Sequence, residues 1–464
     1  AAVNDAGTKF VLSRDGVEKS LDNDLYMVDV ASKKETHLTP HTDASEFGDV
    51  HFLADGIVLT TNDKREFASL AYMRKKNAAG DDWTESNRST YIYTGSLNWD
   101  VEGVTVSGDN SLLAFTVNRA GFSEHFYLMP IATSGKPLIS RIDVGQTVKL
   151  PESGVVSGLS LNSDGTMLAF TLSSANRNAD IWTYDVNGKK FDQVTSSDRA
   201  GISQDSFARP DLIAFKSFDG REIPAWYYKP RPLRVGIRTT ITTEGSRTVS
   251  NQTPLQPVII SVHGGPEGQS RPGFNALFQY YLSRGYAILD PNVRGSTGYG
   301  KTYTHLDDVE KREDSVKDLA AAVEWLKTKG GADPKRIAVM GGSYGGYMTM
   351  AAITLYPDLW AAAVGTVAIT NWETFLQNTS GYRRRQREVE YGRLDRDHEF
   401  LRRISPIRKI DRIKTPLFVI SGLNDPRVPY TEGEQMVDAL RKRGAIVEYK
   451  LYDDEGHGIS KLKN

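Results

Sequence analysis

The 464-residue sequence contains no cysteine. Disulfides, thiolate metal ligands and a cysteine nucleophile are therefore excluded. Neither sign of charge is in excess, since 57 Lys and Arg against 58 Asp and Glu leave a net charge of −1. That balance gives no electrostatic footprint for nucleic acid or for an anionic membrane surface. No apolar run reaches the roughly 20 residues of a membrane helix. Residues 1–10 lack the basic start and apolar stretch of a secretory leader. The chain also opens without methionine, as a processed or trimmed start would. These absences predict a soluble protein with neither nucleic acid nor membrane as partner. They leave the compartment open between cytoplasm and periplasm, and the oligomeric state open, a homo-oligomer included.

What is present is an ordinary globular composition, 39% hydrophobic and 25% charged, in a chain long enough for two or three domains. Its organising stretch is Arg336–Met348. Ile337–Met340 is a short apolar run, read as a buried parallel strand. Gly341-Gly342-Ser343-Tyr344-Gly345 follows, and helix-compatible residues continue from Tyr347. Strand, G-x-S-x-G and helix make the nucleophile elbow of an α/β-hydrolase. The glycines are steric requirements: the serine is held in strained backbone geometry while strand and helix come very close.

Residues 1–208 repeat weakly. Ser107-Gly108-Asp109-Asn110-Ser111-Leu112-Leu113-Ala114-Phe115 resembles Asn162-Ser163-Asp164-Gly165-Thr166-Met167-Leu168-Ala169-Phe170, with Asp109 and Asp164 55 positions apart. Looser copies begin near Asp55 and Asp5. Second strands are expected over 24–30, 67–73, 125–130 and 180–186. Turn-punctuated strands at this period predict about four β-propeller blades, the first beginning within a blade. Propellers generally have about four to eight, so this one reads as incomplete.

Residues 209–464 read as a second domain. Two strands flank the turn Phe218-Asp219-Gly220, and Arg234–Gln256 reads as an exposed hairpin or mobile loop. From Pro257 strands and helices alternate, which predicts a doubly wound, mostly parallel sheet. Helices over 274–284, 314–329 and 431–442 are expected to close on Gly285, Gly330 and Gly444. The run Arg383-Arg384-Arg385 with Arg387 is followed by Glu388 and Glu390 and reads as a solvated helix face.

A serine hydroxyl needs a base, itself oriented by an acid. In this architecture both follow the serine, on loops after late strands. Asp425 follows the apolar strand Leu417–Ile420, and His457 follows the next strand, Val447–Leu451. The triad is Ser343, Asp425 and His457. Asp453 and Asp454 are too close to His457 in sequence to serve, while His263, His305 and His398 occupy the wrong contexts. Oxyanion donors are assigned to the N–H of Tyr344 and to Gly265 in the loop His263-Gly264-Gly265-Pro266.

With these residues in place the chain resembles the prolyl oligopeptidase family of serine peptidases. The motifs are Gly-Gly-Ser343-Tyr-Gly-Gly-Tyr, Asn424-Asp425-Pro-Arg-Val-Pro and Glu455-Gly-His457-Gly. His263-Gly-Gly-Pro and Asn292-Val-Arg-Gly-Ser-Thr-Gly-Tyr-Gly300 fit the acylaminoacyl-peptidase-like branch. The resemblance implies cleavage of short peptides, with no cofactor or metal and with the propeller restricting access. It also implies a substrate-carbonyl role for Arg427. Two departures stand out: the propeller is short, and the chain stops seven residues after His457, where the family has a further helix. No paired-glutamate motif of the dipeptidyl-peptidase branch is visible, so N-terminal dipeptide release is not expected. An esterase on the same triad and a catalytically silent propeller protein are the competing readings.

Overall fold

The computed structural model describes residues 2–76, 83–131, 146–231, 239–241, 247–249 and 255–464. Its N-terminal part is all β. Ala2–Val3, Lys9–Asp15, Asn23–Asp29 and Glu35–His37 form one antiparallel four-stranded sheet, and Phe47–Leu53, Gly56–Thr61, Ser69–Lys75 and Arg88–Ile92 form a second. A seven-stranded sheet follows and divides at its sixteen-residue strand Gln146–Leu161. The first part of that strand pairs with Ser123–Pro130, and the remainder pairs with Met167–Ser174. This division yields two further four-stranded units, so the expected four blade-like units are present. The first of them begins with the two-residue strand Ala2–Val3.

The second sheet has eight strands: β1 (Asp211–Lys216), β2 (Glu222–Tyr228), β3 (Gln256–Val262), β4 (Ala287–Pro291), β5 (Ala332–Gly342), β6 (Ala362–Thr366), β7 (Leu417–Gly422) and β8 (Val447–Tyr452). Their spatial order is β1-β2-β4-β3-β5-β6-β7-β8. From β4 to β8 every pairing is parallel, and β2 joins β4 antiparallel. Successive side chains of β3 enter opposite cores, as strand geometry requires. Val258 and Ile260 pack with Val316 and Leu319 of helix α2 (Arg312–Trp325) and Met348 of α3 (Tyr344–Leu355). Ile259 packs instead with Phe278 and Leu282 of α1 (Ala276–Ser283). The elbow strand β5 alternates likewise, with Ile337 and Val339 in the first core and Ala338 and Met340 against the second.

Several boundaries differ from the sequence expectation. β5 runs well beyond 337–340, because backbone pairing continues from Gln256 opposite Ala332 where side chains are solvated. Helix α2 continues through a wider turn, Leu326–Gly330, and Gly331 takes the left-handed conformation in place of Gly330. Gly285 and Gly444 do close their helices with positive φ. In the expected hairpin, Thr239–Ile241 pairs with Arg247–Val249, and the rest of it lies outside the described residues.

The β part docks on the α/β part through buried and polar contacts. Arg271 pairs with Glu102 at 2.7 Å and donates to the Gly121 carbonyl at 2.8 Å. Gln279 donates to the carbonyls of Ala175 and Ala208, and Phe122 packs edge-on against Trp226.

Candidate active site

Ser343 occupies the turn between β5 and α3 with φ 58° and ψ −119°, a strained conformation for a non-glycine residue. Its glycine neighbours are sterically obligatory. A Cβ on Gly345 would lie 2.1 Å from the Val262 carbonyl oxygen, and one on Gly341 would lie 2.3 Å from that of Gly345. The turn therefore raises the serine at the C-terminal end of the sheet.

Asp425 and His457 come from the loops after β7 and β8. His457 Nδ1 lies 2.8 Å from Asp425 Oδ2. The other carboxylate oxygen accepts from the N–H groups of Arg427 at 2.8 Å and Val428 at 3.1 Å. Asp425 is fully engaged and buried, so its orientation toward the imidazole is set by its own turn. Among the described residues no hydrogen bond joins Ser343 to His457, so the acid–base pair is formed while the serine contact stays open. Catalytic contacts of this kind often tighten only around substrate.

The rival groups are committed elsewhere. Asp454 is tied to Lys461 at 2.9 Å and Lys463 at 2.6 Å. His263 is bonded to the Gly264 carbonyl and Ser296, each at 2.8 Å, and burial holds its pKa below the usual histidine value. His305 pairs with Asp308 at 2.9 Å, which raises its pKa, and His398 pairs with Glu373 at 2.8 Å.

Both candidate oxyanion donors border the serine. The Tyr344 N–H is the first of α3, among those helix geometry leaves without an intrahelical partner. The loop His263–Pro266 lies against the elbow, since a Cβ on Gly264 would sit 3.4 Å from Ser343 Cβ. Gly265 has φ 143°, where only glycine is unstrained. Its carbonyl is gripped by Arg387 at 3.1 Å and by the Tyr391 hydroxyl at 3.0 Å, and Arg387 also pairs with Glu267 at 3.3 Å. Arg387 and Tyr391 lie on the helix Gly381–Tyr391, so the expected solvated arginine face is corrected in part. A wall of that helix faces inward and holds the loop His263–Pro266.

Other supports were not visible in the sequence. Buried Arg312 donates to Asp307 at 2.5 Å and to the Tyr344 hydroxyl at 3.1 Å, and it pairs with Glu390. The Tyr344 hydroxyl in turn donates to Asp307 at 3.0 Å. Burial pushes both carboxyl pKa values up, while the guanidinium opposes the shift. Oxygens of Asp307, Asp308 and Glu390 lie within 4.8 Å of one another, close enough for a cation. The Arg312 guanidinium already supplies positive charge to two of these three, so the set works as an ion-pair clamp on Tyr344. Arg427, by contrast, is exposed and has no ion pair among the described residues.

A cavity of about 540 Å³ opens between the two parts of the molecule, lined by Asp22, Glu46, Phe47, Glu267, Gln386 and Arg387 among others. Glu267 and Arg387 belong at once to this wall and to the support of the oxyanion loop. A volume of that order suits a small ligand or short peptide.

Residues 272–464 match the family model described as the prolyl oligopeptidase family. Residues 272–464 form a domain of that family. The chain is 28% identical over 479 residues to dipeptidyl aminopeptidase BIII of Pseudoxanthomonas mexicana, covering 95% of this chain and 67% of that one. Dipeptidyl peptidase family member 6 of Caenorhabditis elegans is 32% identical over 332 residues, covering 69% of this chain and 45% of that one. A solved Mycobacterium tuberculosis puromycin-hydrolyzing peptidase superposes with a TM-score of 0.81 at 21% identity, covering 98% of this chain and 65% of that one. At that identity the likeness concerns the fold, an α/β-hydrolase with a β-propeller. The chain thus spans between 45% and 67% of the length of these three proteins. No described helix is long and apolar enough to cross a membrane.

Proposed function

We propose that this chain is a serine peptidase acting on short peptides, with residues 1–208 as propeller blades and 209–464 as the catalytic domain. Ser343 Oγ attacks the scissile carbonyl while His457 takes its proton, and Asp425 stabilises the imidazolium. The N–H groups of Tyr344 and Gly265 stabilise the tetrahedral oxyanion. As the C–N bond breaks, His457 returns the proton to the leaving amine. Water then hydrolyses the acyl-enzyme by the same steps in reverse order. None of these steps draws on a metal or cofactor.

The observation that carries the reading is the 2.8 Å Asp425–His457 contact, made by two strand-end loops of the sheet whose elbow strains Ser343. Stoichiometric labelling with a fluorophosphonate probe, read by intact mass, tests it. One adduct per chain, absent in Ser343→Ala, is expected. No adduct on folded protein would overturn the proposal. Nitroanilides of free dipeptides and of N-acylated residues, compared with nitrophenyl esters, then separate the chain-end preferences. The free dipeptides belong in this set because the relative matched over 95% of the chain bears a dipeptidyl aminopeptidase name. Turnover of esters alone would replace the peptidase reading by an esterase.

A further inference from the structure

The arginines of the helix Gly381–Tyr391 stand in different surroundings. Arg384 is answered by Glu388 at 3.0 Å within the helix, and Arg387 by Glu267 at 3.3 Å across to the oxyanion loop. Arg385 is exposed. Arg383 is half-buried and has no carboxylate partner among the described residues.

The ends of the helix fix where Arg383 stands. Before it, the Ser380 N–H donates to the Pro426 carbonyl at 3.3 Å, and the Thr379 hydroxyl donates to the Arg427 carbonyl at 2.8 Å. The helix therefore starts on the loop that carries Asp425. Four residues after Arg383, on the same helical face, Arg387 reaches the Gly265 carbonyl at 3.1 Å. Arg383 thus lies between the loop of the acid and the loop of the oxyanion donor. Arg427, two residues from Asp425, adds a further like charge near it after Arg387, and it too lacks an ion pair among the described residues. Burial, with the like charges of Arg387 and Arg427, holds the Arg383 pKa below its ordinary value. Only one of these three guanidinium charges is matched by a carboxylate.

A half-buried guanidinium beside like charges is costly unless an anion comes to it. Its planar fork of donors suits a carboxylate, which it binds through two parallel hydrogen bonds. We propose that Arg383 and Arg427 form a carboxylate-binding subsite that selects peptides presenting an anionic group next to the scissile bond. The inference rests on the peptidase reading above and adds a substrate class to it. The carboxylate comes either from an acidic side chain or from the C-terminus of a short peptide. Both are the same chemistry at the subsite.

Matched quenched peptides test it on the whole chain. One series exchanges Glu for Gln on either side of the cleaved bond, and another exchanges a C-terminal acid for an amide. The expected result is a kcat/KM at least about 10-fold higher for the anionic member of one series, carried by KM and reduced by added salt. That ratio falls toward one in Arg383→Gln and in Arg427→Gln and is partly restored in Arg383→Lys. Because each ratio is internal to one variant, a loss of folded protein does not mimic the effect. Fluorescence anisotropy of the same peptides on Ser343→Ala reads the subsite without turnover. Tighter binding of the acid, lost in the double variant with Arg383→Gln, supports the proposal. Equal binding of acid and amide, or a preference surviving both arginine substitutions, overturns it. Failure of probe labelling would instead count against the serine peptidase reading alone.

Discussion

Asp290 ends β4 nearly out of contact with solvent, with the Ser270 hydroxyl donating to it at 2.5 Å. Burial pushes its pKa up to about 7, and the Ser270 hydrogen bond only partly opposes this. The folded chain therefore keeps a proton that the unfolded chain releases near pH 4. Stability should fall as pH rises from about 4 to about 7, with the full cost present above that range. Asp290→Asn removes this term. The variant is expected to be more stable than the parent by about 1–3 kcal/mol at pH 8 and nearly equal to it at pH 4. Thermal unfolding of both proteins across that range checks it, and parallel pH profiles would contradict it. At the residue scale the sequence was informative where chemistry restricts type. Ser343, Asp425 and His457 are the only such set in the right chain order at strand ends, and the structure brings the latter two together. Arg312 and Arg387 were not legible, because a buried arginine differs from a solvated one only in its neighbours.

At the scale of elements, the acid and base depend on two loops stitched together. Leu423 N–H donates to the Tyr452 carbonyl and Asn424 N–H to the Glu455 carbonyl, each at 2.9 Å. Glu455 is itself buried and accepts from the Lys461 N–H at 2.9 Å and from Asn464 at 2.7 Å. Gly422 permits this approach, since a Cβ there would lie 2.2 Å from the Gly456 carbonyl oxygen and 2.8 Å from that of Glu455. Gly422→Ala should force the loops apart and break the Asp425–His457 contact. The rate of fluorophosphonate labelling is expected to drop at least about 10-fold, a scale set by the loss of positioned general base catalysis. Gly458→Ala, whose added Cβ meets nothing within 4 Å, is the comparison and should label normally. Similar rates for the two variants would refute the steric argument. Helix ends were legible at Gly285 and Gly444. Gly330 was not, because its surroundings of Leu326 and Trp325 side chains are a packing fact rather than a capping one.

For the molecule as a whole, the question is what keeps the β part seated over the α/β part. Arg271 is one polar link between them, combining the Glu102 ion pair with the Gly121 carbonyl. Both partners are partly buried, so Arg271→Ala should weaken docking by about 1–3 kcal/mol, the cost of losing charged hydrogen bonds and leaving a carboxylate unanswered. A lower midpoint of thermal unfolding is expected, together with faster tryptic cleavage after Arg199, which precedes Ala200 in the connection between the two parts. Unchanged values for both would place this pair among the surface ion pairs that contribute nothing measurable. The cavity beside Glu267 and Arg387 lies between the same two parts.

By itself the sequence determined the order of strands and helices, the elbow and the acid and base that follow it. It did so because glycine at a close approach, a nucleophile in a strained turn and apolar strand cores tolerate few residue types. It also carried the family resemblance and the repeat that becomes four blade-like sheets. Only the tertiary structure decided which charges are answered. Whether an arginine is solvated, clamps Tyr344 from within or holds the Gly265 carbonyl depends on groups as much as 122 positions away in the chain, as Arg387 and Gly265 are. Electrostatic energy falls with distance in space and with the polarity of what lies between, and neither quantity is written along the chain.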